Sequence, residues 1–187
     1  MDIVSTDPAV QKASQILSWT SIAERECLAR LAREVPAGGS IVEIGSLYGG
    51  AAAAMALANP KADVLCIDEF SWTPEGHPAP SERMLLDNMK LVGAPNVRCI
   101  PTASEKIAPI WDRPIDLLWV DGGHTYEYVY CDLCMFGSHA TVIAAHDYGN
   151  PAWGSIMRAV TDFLSAMTEP PMVIAEVVDM VVVLRAA

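Results

Sequence analysis

The chain has 187 residues, 52% of them apolar, and a formal charge of −11 from 23 acidic against 12 basic side chains. That length and apolar content suit one domain with a sizeable core, and an excess of acid without any cluster of Lys or Arg disfavours nucleic acid or an anionic membrane and favours a small-molecule partner. No apolar run approaches the ~20 residues of a membrane span, and Met1-Asp-Ile-Val-Ser-Thr-Asp7 lacks a basic stretch followed by an apolar one, so a cytoplasmic protein is expected.

Residues 8–34 carry apolar positions at helical spacing, among them Ile16, Leu17, Ile22, Leu28 and Leu31, with turn-like residues at 18–21 between two helical pieces. Pro36-Ala-Gly-Gly39 breaks the pattern, which divides the single domain into N-terminal helices over 1–38 and a core over 39–187. The core opens with Ile41-Val-Glu-Ile-Gly-Ser-Leu-Tyr-Gly-Gly50 and an alanine-rich run to Ala58. An apolar run with an acid near its end, then glycines and a strong helix former, predicts a strand at 41–45, a tight turn and a helix N-terminus. Gly45 and Gly49 let backbone approach a ligand closely, the helix N-terminus favours a carboxylate or phosphate, and Glu43 accepts from ligand donors. The turn shows neither Gly-x-Gly-x-x-Gly nor Gly-Lys-Ser/Thr, which weakens both nucleotide-binding readings, and a turn that only packs helix against sheet is the competing one.

Asn59-Pro60 stops the alanine helix, and 62–67 forms a second strand ending at Asp68. Phe70 to Ser81, rich in proline, predicts an irregular loop beside a site, in the position of a lid. A helix at 82–92, a strand at 96–100, a short helix at 104–110 and a strand at 115–120 follow, the last ending in Asp121-Gly-Gly-His124. Thr125 caps a helix to about 136, and a fifth strand at 141–145 ends in His146-Asp147-Tyr148. A helix near 154–167 and strands near 172–178 and 180–185 complete the chain.

This alternation predicts an α/β fold with a doubly wound, seven-stranded, mostly parallel sheet, helices on both faces, and an antiparallel last strand permitted by the short connection at Asp179. Ligands of such sheets bind beyond the carboxyl ends of the strands, where Glu43, Asp68, Asp121 and Asp147 all lie. The cysteines at 27, 66, 99, 131 and 134 are odd in number and set in apolar segments, which predicts buried thiols rather than disulfides. Cys131 and Cys134, helically spaced and without a second pair, read as two core thiols rather than a zinc or redox site.

In their order along the chain, WTSIAERECLARLA from Trp19, VEIGSLYGG from Val42, LCID from Leu65, IDLLWVDGGHTYEYVYCDL from Ile115, AAHDYGNPAWGSIMRAV from Ala144 and VVDMVVVLR from Val177 resemble the class I S-adenosylmethionine-dependent methyltransferases, particularly the small bacterial group related to macrocin O-methyltransferase and cephalosporin hydroxylase-like proteins. The likeness spans nearly the whole chain. It implies a Rossmann-like fold and methyl transfer to a hydroxyl of a small molecule, a sugar or secondary metabolite, with an oxygenase-named or non-catalytic cofactor-binding relative as the alternative. It also implies that Glu43, Gly45 and Gly49 line the methionine part of S-adenosylmethionine with Ser46 close by, that Asp68 receives the ribose hydroxyls, that Thr102-Ala-Ser104 meets the adenine edge, and that Asp121 touches the cofactor.

Relatives use an acidic pair after the fifth strand, together with the first aspartate, to hold a divalent metal. Here the pair is His146-Asp147, so Asp121, His146 and Asp147 make a mixed oxygen and nitrogen set suited to manganese, with magnesium the family expectation; the alternative has Asp121 on the cofactor and Asp147 ordering its loop. Histidine as a residue type exchanges protons near neutrality, which makes His124 the candidate base and His146 the second, a structural histidine being the other reading of His124. Tyr126, Tyr148 and Trp153 read as packing residues, with Tyr148 and Trp153 available as an acceptor-pocket wall. The rest of that pocket is expected from the 70–81 loop, the N-terminal helices or a second subunit of a homodimer.

Overall fold

Two helices, α1 (Pro8–Ala13) and α2 (Ile22–Glu34), precede an alternating series: β1 (Ser40–Ile44), α3 (Gly50–Ala58), β2 (Asp63–Ile67), α4 (Glu82–Val92), β3 (Val97–Ile100), α5 (Ser104–Ile107), β4 (Ile115–Val120), α6 (Tyr126–Gly137), β5 (Ala140–Ala145), α7 (Ser155–Ala166), β6 (Met172–Val178) and β7 (Val181–Ala186). The computed structural model describes residues 5–167 and 169–187. Its strands form one seven-stranded sheet in the order β3-β2-β1-β4-β5-β7-β6. Strands β1 to β5 pair in parallel, and β7 runs antiparallel to both β5 and β6, as expected from the short turn at Asp179.

Strand periodicity sorts the core into two layers. Ile41, Cys66, Leu117, Trp119 and Ala144 face α1 to α4, whereas Val42, Ile44, Leu118, Val120 and Ile143 face α6 and α7. Both sheet faces are therefore covered, which is why these strands read as continuous apolar runs. Alanine is the device that seats α3: seven of its nine residues are buried, and the short side chains bring its backbone close to the sheet and to α2. A capping box starts α2, the Glu24 N–H donating to Ser21 Oγ at 3.1 Å and the Ser21 N–H to Glu24 Oε2 at 2.6 Å. The strand order reverses between β1 and β4, so a crevice opens at their carboxyl ends.

Three expectations change. The break between the N-terminal helices is wider than 18–21 and begins at Ser14. The helix at 104–110 divides into α5 and a 3-10 turn at Ala108–Ile110, where Pro109 has no N–H to continue the α ladder. The cysteines are not all buried: Cys27 and Cys66 are, but Cys131 is exposed and Cys99 and Cys134 are partly so. Helix α6 turns Val129, Leu133 and Phe136 inward, and Cys131 falls on its opposite face. No helix among the described residues is long and apolar enough to cross a membrane.

Candidate active site

A cavity of about 750 Å³ opens over the carboxyl ends of β1, β2, β4 and β5. Its floor is the glycine turn. Gly45 has φ +85°, and a Cβ there would collide with the Asp121 carbonyl, so glycine permits the ends of β1 and β4 to touch. Gly49, at φ +87°, occupies the cap position of α3. Asp68 holds the turn from the side: its Oδ2 accepts from the Leu47 N–H at 2.7 Å and its Oδ1 from the Phe70 N–H at 2.6 Å. Each oxygen keeps a second lone pair for a ligand hydroxyl.

Glu43 is buried beneath the turn and accepts from the Cys66 thiol at 3.2 Å. Burial pushes its carboxyl up to about 8, against the opposing pull of Ser46 and Cys66. The Ser46 hydroxyl lies near enough to favour the charged carboxylate but forms no well-directed hydrogen bond, and it is a buried, unpartnered polar atom among the described residues. A buried hydroxyl without a partner on the wall of a cavity fits a polar ligand. With the open amides of the α3 N-terminus and the Asp68 lone pairs, these residues suit a cofactor bearing a carboxylate and vicinal hydroxyls.

At the ends of β4 and β5 four side chains interlock. His124 Nε2 lies 3.2 Å from Asp147 Oδ2, and the His124 ring stacks on Trp153 with centroids 5.1 Å apart. His146 is buried between carboxylates, its Nε2 3.1 Å from Glu24 Oε2 and its Nδ1 3.2 Å from Asp121 Oδ1 and 3.5 Å from Asp147 Oδ2. Burial alone would lower the imidazole, but the hydrogen bonds to Asp121, Asp147 and Glu24 push it up to about 12. Burial likewise works to raise Glu24, yet the bonds from His146, the Ser21 N–H and the Met180 N–H together hold that carboxyl below the usual range. Asp121 is raised by burial, which His146 only partly offsets. Asp147 adopts φ +56°, a left-handed conformation costing about 1 kcal/mol for a non-glycine residue; Asn150 Nδ2 donates to its Oδ1 at 2.6 Å, and the Tyr148 N–H donates to the Met180 carbonyl at 2.9 Å.

The candidate ligand set therefore changes. Ligand atoms of Asp121, His124 and Asp147 lie within 4.8 Å of one another. Both nitrogens of His146 face carboxylates, and a doubly donating imidazolium has no lone pair for a metal or for an incoming proton, so the geometry speaks against its expected roles as ligand and second base. Tyr126 and Tyr148 pack instead of lining the cavity, Tyr126 stacking on Tyr130 with centroids 5.5 Å apart, whereas Trp153 does line it.

A sequence family described as a methyltransferase domain matches residues 42–148. The chain belongs to that family. Solved structures share the fold of this methyltransferase at low identity: cofactor-bound Rv0187 from MTB (TM-score 0.69, 19% identity, covering 98% of this chain and 92% of that one) and the O-methyltransferase TomG from Streptomyces achromogenes, involved in tomaymycin synthesis and in complex with SAM (0.66, 18%, 99% and 92%). TrmN from Thermus thermophilus is also similar (0.64, 18%, 95% of this chain and 52% of that one). No curated protein matches the chain in sequence.

Sequence reasoning on this methyltransferase missed two buried acids. Glu24 was legible as half of a Ser-x-x-Glu capping box, but its contact with His146 spans 122 positions and left no local signal. Asp132, on α6, accepts from Ser104 Oγ at 2.6 Å and so holds the start of α5 against the cavity, with burial pushing its carboxyl up to about 6. A lone acid among apolar positions of a helix was the available hint.

Proposed function

We propose that this methyltransferase uses S-adenosylmethionine to methylate a hydroxyl of a small molecule, and that it is related to the macrocin O-methyltransferase group. The observation that carries the reading is the single cavity into which the glycine turn, Asp68 and the His124–Asp147 pair all open. When bound, the cofactor supplies an electrophilic methyl group on a sulfonium. Gly45, Ser46 and the open amides of α3 would hold its methionine end, Asp68 its ribose, and Thr102 to Ser104 its adenine edge, all of which line the cavity. His124, its Nε2 3.2 Å from Asp147 Oδ2, would accept the hydroxyl proton, and the Trp153 stack fixes the ring plane. The residues thereby orient the nucleophile and remove its proton, and positioning contributes much of the acceleration.

A second reading is favoured by the grouping of Asp121, His124 and Asp147: these residues would hold a divalent cation, manganese or magnesium, whose chemistry is to lower the pKa of a coordinated hydroxyl. A nucleic-acid acceptor is disfavoured by the charge of −11. Calorimetric titration with S-adenosylmethionine tests the function: micromolar affinity, weakened roughly tenfold or more by Asp68→Ala, is expected, and no binding at millimolar cofactor would sink it. Activity that survives a chelator assigns the proton to His124; activity lost to a chelator and restored by manganese or magnesium assigns the cation.

A further inference from the structure

The acceptor's chemistry can be read from the part of the cavity wall that the cofactor roles leave over, an inference that rests on the function just proposed. Three of the five tryptophans line this one cavity, and all three are open to water: Trp19 is 48%, Trp72 58% and Trp153 42% exposed. A single exposed indole is unremarkable in a protein surface, but three on one concave wall form an aromatic surface that gains by covering itself. The rings are also held in place before any ligand arrives. Trp19 sits against Tyr48 and Trp72, each with centroids 6.1 Å away, and against His77 at 5.4 Å, while His124 fixes Trp153. Pre-set rings lose little freedom on binding a flat partner.

The charge of the same wall is one-sided. Of the wall left over, Glu69, Glu105, Asp121 and Asp147 are acidic, and no Lys or Arg lines the cavity among the described residues. Basic side chains are spent elsewhere: Arg30, Arg33, Arg83, Lys90, Arg98, Arg158 and Arg185 pair with acids outside the cavity lining. Away from the α3 N-terminus, whose amides would take the cofactor carboxylate, a phosphate or carboxylate would be desolvated beside carboxylates whose one cationic neighbour, His146, is already enclosed by Glu24, Asp121 and Asp147, which disfavours an anionic acceptor. An organic cation would instead meet indole faces and carboxylates together.

We propose that the acceptor is a ring-bearing hydroxyl compound that carries a protonated amine and no phosphate or carboxylate, its ring laid against Trp19 and Trp72. Three phenols of like size and different charge test this: tyramine, 4-ethylphenol and 4-hydroxyphenylacetate, each titrated calorimetrically into the full chain loaded with S-adenosylhomocysteine. Tyramine is expected to bind at least about tenfold more tightly than 4-hydroxyphenylacetate, with 4-ethylphenol between them. Equal or reversed affinities, or no binding of any of the three at millimolar concentration, would overturn the proposal. Failure of S-adenosylhomocysteine itself to bind would overturn the function above, and the ranking of the phenols, then measured on the free protein, would still decide the charge proposal. Trp72→Ala, an exposed truncation that leaves the core intact, is expected to weaken tyramine about fivefold while S-adenosylhomocysteine binds as before; unchanged tyramine affinity would remove Trp72 from the acceptor wall.

Discussion

Glu24 is fully buried, and its two oxygens serve three donors from three elements: the Ser21 N–H of its own helix cap, the Met180 N–H of the β6–β7 turn, and the His146 ring at the end of β5. Replacing it strands a buried imidazolium and two amides. Glu24→Ala is therefore expected to destabilise the fold by about 3–5 kcal/mol, since three buried donors lose their acceptor at once, although Asp121 and Asp147 still face the other ring nitrogen of His146. Calorimetry should show the melting temperature falling by on the order of 10 °C, and a loss under about 1 kcal/mol would contradict the arrangement. Glu43 behaves in the opposite sense. Its native carboxyl is pushed up to about 8 by burial, above the ordinary carboxylate range of the unfolded chain, so the native state holds a proton that the unfolded state releases. The contribution is fully present below about pH 4 and is lost as pH rises through about 8. Glu43→Gln mimics the neutral acid and should flatten that decline in urea unfolding measured at pH 5 and pH 8.

At the scale of elements, the glycine turn works because two strand ends touch. Gly45→Ala adds a Cβ against the Asp121 carbonyl in a left-handed conformation, and neither backbone can yield without moving β1 or β4. A loss of about 2 kcal/mol or more is expected, with cofactor affinity falling further than stability alone explains, because the turn carries the binding amides. Denaturant unfolding and cofactor titration of the same variant separate the two effects. Strand ends at Glu43, Asp68, Asp121 and Asp147 were legible because apolar runs terminate visibly at an acid. Rotamers at those ends were not: nothing local to His146-Asp147 distinguishes a ring turned toward Glu24 from one turned toward the cavity.

For the molecule as a whole, the site is a crevice between parts that come from every third of the chain: the segment at Leu17 to Trp19, the turn at Glu43 to Tyr48, the loop at Ser71 and Trp72, and the ends of β4 and β5. A ligand that bridges these parts stabilises only the folded state. Saturation with S-adenosylhomocysteine at about a hundred times its dissociation constant is therefore expected to add about 2.7 kcal/mol and raise the melting temperature by roughly 5–10 °C. A scanning-calorimetry trace unmoved by the ligand would count against the cofactor assignment. Absence of any change with 4-hydroxyphenylacetate, by contrast, is what the acidic wall predicts.

By itself the sequence determined the alternation of elements, the parallel sheet with its antiparallel end, the glycine turn and the acids at the strand ends. Each of these follows from local rules of period, turn chemistry and backbone sterics that act over a few residues. Only the tertiary structure decided that His146 belongs to Glu24, that His124 joins Asp121 and Asp147, and that three indoles share one wall. Those pairings depend on side-chain direction across elements distant in sequence, and direction is set by packing, which no short-range pattern encodes.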